Sequence, residues 1–177
     1  MIDAFWSASY RARGTVTALA MALSRCTLFV FAATIAGCGP LGPMPGGRLG
    51  GEVHAQAVGD WSFTEAEQTV QIETNPTAPH SVNTWCVGLG PRLYVPTSMI
   101  RGPKTPTDRD WVKNVTADPR MRIRIDGEVY EVVAVRVTDP AEYATARAGL
   151  EKKYELGPTD LDPEREIWIF RLDPRSA

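Results

Sequence analysis

TDRDWVKNVTADPRMRIRIDGEVYEVVAVRVTD, residues 107–139, changes period halfway along, and that change decides the fold. In its first half Thr107 and Asp110 have capping-box spacing, and Trp111 with Val115 sets an i,i+4 apolar face. Asp118-Pro119 ends this short helix, because proline cannot continue it. From there the period is two: Met121, Ile123 and Ile125 alternate with Arg120, Arg122 and Arg124. Asp126-Gly127 supplies the two-residue turn of a tight hairpin, and the return strand spans Glu128 to Thr138. A helix therefore feeds an antiparallel pair.

Downstream, Asp139-Pro140-Ala141-Glu142 is a helix start with proline at the first helical position. That helix extends to about Tyr154, with Tyr143, Leu150 and Tyr154 as its inward stripe and Gly157-Pro158 as its stop. Ile167-Trp168-Ile169-Phe170 is apolar on both faces, as a central strand is. Upstream, Val70 and Ile72 alternate with Gln71 and Glu73 before Asn75-Pro76-Thr77-Ala78-Pro79 breaks the strand. Ser81–Leu89 resumes it, Gly88-Leu89-Gly90-Pro91 turns it, and Arg92–Val95 forms the next strand. The fold class is mainly β (α+β), a small barrel with two covering helices in one domain over residues 52–177.

The amino-terminal part has a different character. Arg25 precedes an apolar run, Cys26–Ala36, of the roughly 7–15 residues a signal-peptide h-region uses. A membrane-spanning helix takes about 20. The run closes on Ile35-Ala36-Gly37-Cys38, which resembles the lipobox of bacterial lipoproteins. The resemblance implies a signal peptide over residues 1–37, lipidation of Cys38, and a membrane partner through that anchor. Gly39 rather than aspartate after the cysteine implies the outer membrane of a bacterial cell envelope. The long lead with Arg11 and Arg13 leaves both Met1 and Met21 as start sites. Residues 38–51, rich in Gly and Pro without apolar periodicity, read as a flexible tether.

Several chemistries are excluded. The chain carries a formal charge of −2, and the part from Cys38 onward is more acidic, because residues 1–37 hold three arginines and one aspartate. An acidic surface does not suit nucleic acid, whose binding rests on neutralising phosphates. With Cys26 in the signal and Cys38 lipidated, Cys86 stands alone between Trp85 and Val87, so no intramolecular disulfide is expected. His54 and His80 have no ligand-spaced partners, which argues against zinc and against a Cys–His nucleophile.

Trp111-x-x-Asn114-x-x-Ala117-Asp118-Pro119, the alternating Met121–Ile125, Gly127 and a long strand ending Val137-Thr138-Asp139 together resemble the flavin-binding split β-barrel superfamily. That superfamily includes pyridoxamine-phosphate oxidases and deazaflavin-dependent nitroreductases, and the pattern is closest to the deazaflavin branch. The resemblance covers about Thr69 to Asp139. It implies a homodimer with FMN or a deazaflavin at the subunit interface, and a cofactor phosphate on the segment after the third strand. Here that segment is Thr97-Ser98-Met99-Ile100-Arg101-Gly102-Pro103-Lys104. Thr97, Ser98, Arg101 and Lys104, with Lys113 one turn into the helix, would face the phosphate; Asn83 and Trp85 would flank the ring. The same residues also read as a solvated polar loop. The glycine- and base-rich motif of deazaflavin enzymes is replaced by Asn75–His80, where His80 is the one candidate acid.

Two function classes follow. One is a lipid-anchored flavin- or deazaflavin-dependent oxidoreductase of unassigned substrate. The other is a cofactor-free envelope lipoprotein that acts as a binding or structural module.

Overall fold

The computed structural model describes residues 39–175, and Cys38 with the signal segment expected before it lies outside them. In chain order the elements are β1 (Val70–Thr74), β2 (His80–Thr84), β3 (Val87–Leu89), β4 (Arg92–Pro96), α1 (Asp110–Ala117), β5 (Arg120–Ile125), β6 (Glu128–Arg136), α2 (Pro140–Lys153) and β7 (Ile169–Pro174). The seven strands form one antiparallel sheet in the order β2-β1-β5-β6-β7-β4-β3. Consecutive β2 and β3 lie at opposite edges, yet only Trp85 and Cys86 separate them. Three Cα steps span at most about 11 Å. The sheet must therefore curl until its edges nearly meet, which is a split barrel, as the sequence resemblance implies.

The hairpin forms as its alternation dictates. Asp126 and Gly127 take φ of 48° and 83°, the paired left-handed conformations of a type I′ turn, and Ile125 faces Glu128 across it. Met121, Ile123 and Ile125 are buried beneath it. α1 presses Trp111, Val112 and Val115 onto this core, and Trp111 meets Phe170 edge-on with ring centroids 5.5 Å apart. A second cluster under α2 joins Val87, Tyr94, Met99, Ala146, Leu150 and Ile169. Asp139 caps α2 by accepting a 2.8 Å hydrogen bond from the Glu142 amide.

Four details depart from the sequence expectation. Thr107 caps nothing: Pro106–Asp108 is a single 3-10 turn, and α1 starts at Asp110 after an extended Arg109. The Ser81–Leu89 run is broken at Trp85-Cys86, where the chain crosses from one sheet edge to the other. The last strand begins at Ile169, two residues late, although it is central between β6 and β4 as its apolar pattern requires. Finally, Gly39–Gly51 does not run free. Gly46 and Ser81 exchange two 2.8 Å backbone bonds, and buried Leu49 donates its amide to Glu73 Oε2 at 2.6 Å. Arg122 bonds both the Leu49 carbonyl (3.0 Å) and Glu73 (3.1 Å), so the segment is a strap over the polar face of β1 and β5.

Candidate functional site

The crossing from β2 to β3 and the loop after β4 enclose a cavity of about 540 Å³, within the size range of small-molecule sites. Asn83 and Trp85 line one wall, Thr97, Ser98 and Arg101 another, with Arg109 and Trp111 beyond. Pro43 of the strap reaches in from the side.

Each wall is set from behind. Trp85 stacks on Tyr154 at the end of α2, with ring centroids 4.1 Å apart and planes 9° from parallel. The Tyr154 hydroxyl accepts from the Cys86 amide (3.0 Å) and donates to the Cys86 carbonyl (3.1 Å). One phenol thus satisfies both main-chain groups of the residue where the sheet has no partner to offer. Burial raises the ionisation of that phenol well above its ordinary range, keeping it a donor. Lys153 adds bonds to the Thr64 and Cys86 carbonyls at 2.6 and 2.9 Å. Burial also pushes the Cys86 thiol up, so it is an inert core group.

On the opposite wall Thr97 accepts from the Trp168 amide through its hydroxyl oxygen at 3.1 Å, which leaves its own proton to donate. Ser98 turns back onto the Arg101 main chain. The carbonyls of Arg101 and Pro103 then take Arg109, the first at 2.8 Å, while Arg165 reaches the carbonyls of residues 101–103. Gly102 sits at φ 78°, and a Cβ there would come within 2.8 Å of the Arg109 guanidinium. Among the described residues none of Arg101, Arg109 and Arg165 has a carboxylate partner, and the Nε atoms of Arg109 and Arg165 are buried without a hydrogen bond. Burial and the neighbouring Arg165 both lower the affinity of Arg109 for its proton. Neighbouring cations without a counter-charge are the electrostatic signature of an anion site.

The structure therefore gathers Asn83, Trp85, Thr97, Ser98 and Arg101 around one cavity. It does not bring Lys104 or Lys113 there. Lys104 is held by Asp162 (3.0 Å) and Glu164 (2.7 Å), and Lys113 by Asp110 (3.0 Å), one helical turn back. Paired cations have lower-energy partners at hand than a cavity ligand. His80 pairs across from Thr74 in β2 and does not line the cavity, whose walls hold neither carboxylate nor imidazole. Asn83 donates 2.8 Å to the Gly42 carbonyl of the strap.

The site residues not anticipated from sequence are Arg109, Arg165, Tyr154 and Pro43. Arg109 lies between Asp108 and Asp110, and Arg165 between Glu164 and Glu166, so each looks neutralised in sequence. In the structure Asp110 pairs with Lys113, Glu164 with Lys104, and Glu166 accepts from the Trp168 indole.

A curled seven-stranded antiparallel sheet with two helices and a cavity behind its seam defines a split-barrel fold. Residues 87–156 match the family model described as F420H2-dependent quinone reductase. That span runs from β3 to the end of α2 and includes the basic loop. That description names a reduced deazaflavin and a reductase, in line with the deazaflavin arm of the sequence expectation. No curated protein matches the chain. Among solved structures, a haem storage protein of Vibrio cholerae is similar in fold at a TM-score of 0.50, with 17% identity over 65% of this chain and 87% of that one. An F420H2-dependent reductase gives 0.47 and 17% identity over 60% of this chain and 95% of that one. A pyridoxamine-phosphate-oxidase-like protein of Listeria innocua gives 0.44 and 16% over 64% and 89%.

Proposed function

We propose that this chain is an envelope lipoprotein, anchored through Cys38 in the outer membrane, whose split barrel binds a deazaflavin of the F420 type. It would use that cofactor to reduce a quinone-class acceptor. The match over residues 87–156 carries the proposal, because that segment builds the basic loop and both helices that shape the cavity. The residues present suit such a group. Trp85 offers a flat, stacked face to an aromatic ring, and Arg101 and Arg109 offer charge-assisted donors to an anionic tail. FMN, with a ring and a phosphate of similar chemistry, is the alternative cofactor.

When bound, the deazaflavin supplies hydride chemistry; the chain supplies position and field. Trp85, locked by Tyr154, would offer a flat face to the ring. The Thr97 hydroxyl would donate a hydrogen bond, and Arg101 and Arg109 would hold anionic oxygens where no carboxylate lines the cavity. Among the described residues the walls contain no carboxylate or imidazole, so a proton for the acceptor would come from solvent or from a second subunit. A homodimer, expected from the resemblance, would supply the missing wall.

The absence of an acid or imidazole from the walls favours a second reading, a cofactor-free binding module. Titration of F420 and FMN into the detergent-solubilised full chain separates the two. Micromolar or tighter binding of F420, with a perturbed absorbance band, is expected; binding of neither leaves the module. Light scattering that finds only monomer would remove the shared site.

A further inference from the structure

The strap has a second feature. Leu41 and Met44 close a tight turn through reciprocal backbone bonds of 3.2 and 3.0 Å, and both side chains point into solvent, 64% and 61% exposed. They are two of only four large hydrophobic side chains so exposed among the described residues. The turn is not loose: Asn83 holds the Gly42 carbonyl, and Gly46 is paired with Ser81 just beyond. Its Pro43 lines the cavity. Arg48 is the one ionisable residue of the 39–51 segment and is exposed, in an otherwise acidic domain. Leu41 follows Cys38 by three residues, so a lipid on that cysteine lies within about 11 Å along the backbone of the turn.

We propose that the Leu41–Met44 turn seats in the surface of the bilayer that holds the Cys38 lipid, so that the cavity beside Pro43 opens at the membrane. This rests on the anchoring proposed above. A lipid chain alone holds a protein near a membrane without orienting it; two exposed apolar side chains on a braced turn, with a cation four residues on, give one face a preference for it. The preferred partner is an anionic phospholipid surface, because Arg48 has phosphates to meet there and no acid on its own segment. Ligands then enter the cavity from the interface, which selects acceptors that partition into lipid.

The test places an environment-sensitive nitrobenzoxadiazole label at Leu41→Cys, Met44→Cys or Glu128→Cys, the last beyond the far end of the strap. The full lipidated chain is reconstituted into phosphatidylethanolamine–phosphatidylglycerol vesicles with and without a spin-labelled quencher lipid. Buried Cys86 does not label. The expected result is a blue shift and loss of emission at positions 41 and 44 and neither at 128. Intact mass reports lipidation separately. A lipidated chain whose labels all report water overturns the proposal alone, as does equal quenching at all three sites. An unlipidated chain overturns the anchor and this proposal together.

Discussion

The domain contains two loops of similar composition and opposite fate. Gly39–Gly51 and Thr97–Arg109 are both broken by glycine and proline and lack apolar periodicity, the first with one basic residue and the second with three. In the first, polar groups find partners on the sheet: Leu49 on Glu73, Arg122 on both, and Arg124 on the Gly50 carbonyl. In the second, the loop closes on itself through Ser98 and two guanidiniums and leaves Arg101, Arg109 and Arg165 without a salt-bridge partner among the described residues. A strap is recognised by backbone groups matched to the sheet, and a site by side-chain charge left unmatched. Composition does not tell them apart; the balance of partners does.

Removing a match breaks the comparison from the strap side. Glu73 is 3% exposed, and its loss would strand the Arg122 guanidinium and the Leu49 amide. Glu73→Ala should cost about 3–5 kcal/mol in denaturant unfolding, with Glu73→Gln milder because it still accepts a hydrogen bond. A loss near zero would mean the strap is held by something else.

The seam comes next. Tyr154→Phe keeps the ring against Trp85 but strands the Cys86 amide and leaves its carbonyl to Lys153 alone, at an expected cost of about 1–3 kcal/mol. Cofactor affinity should fall further in Tyr154→Leu, which loses the stack as well, and Trp fluorescence should report the change. Identical cofactor affinity in the wild type and both variants would detach α2 from the cavity.

The smallest effect lies on the surface after α1. The Arg120 guanidinium and amide hold the Asp118 carboxyl down to about 2, from an ordinary 3.8. Because the folded value is the lower one, the stabilisation is complete above about pH 3.8 and is lost as pH falls through about 2. Asp118→Asn should lower the melting temperature slightly at neutral pH, and the gap should close in acid. A gap that persists in acid would assign it to helix termination instead.

Much of the fold was legible because its signals are local. The Met121–Ile125 alternation, the Asp126-Gly127 turn and the Asp139-Pro140 cap each act within a few residues, and all three formed. The strap looks like a tether in sequence because its partners lie 24 to 74 residues away, where no periodicity reaches. The break at Trp85-Cys86 was hidden because alternation runs through it unchanged. At the site, the loop after β4 lines one cavity with Asn83 and Trp85, whereas Lys104 answers to acids 58 and 60 positions on. The Lys113–Asp110 pair was open to view at i,i+3 spacing and could have been discounted from sequence. Arg109 and Arg165 were masked by acidic neighbours that turn away in three dimensions.

The central claim is that unmatched cations, not basic residues in general, hold the cofactor. F420 affinity measured in Arg101→Ala/Arg109→Ala beside Lys104→Ala/Lys113→Ala, with circular dichroism to verify folding, tests it most directly. Two charge-assisted bonds of about 1.5–3 kcal/mol each predict at least a roughly 100-fold loss in the arginine pair. The lysine pair, already neutralised by Asp110, Asp162 and Glu164, should stay within about threefold of wild type. Equal losses in the two variants, or a larger one in the lysine pair, would contradict the account.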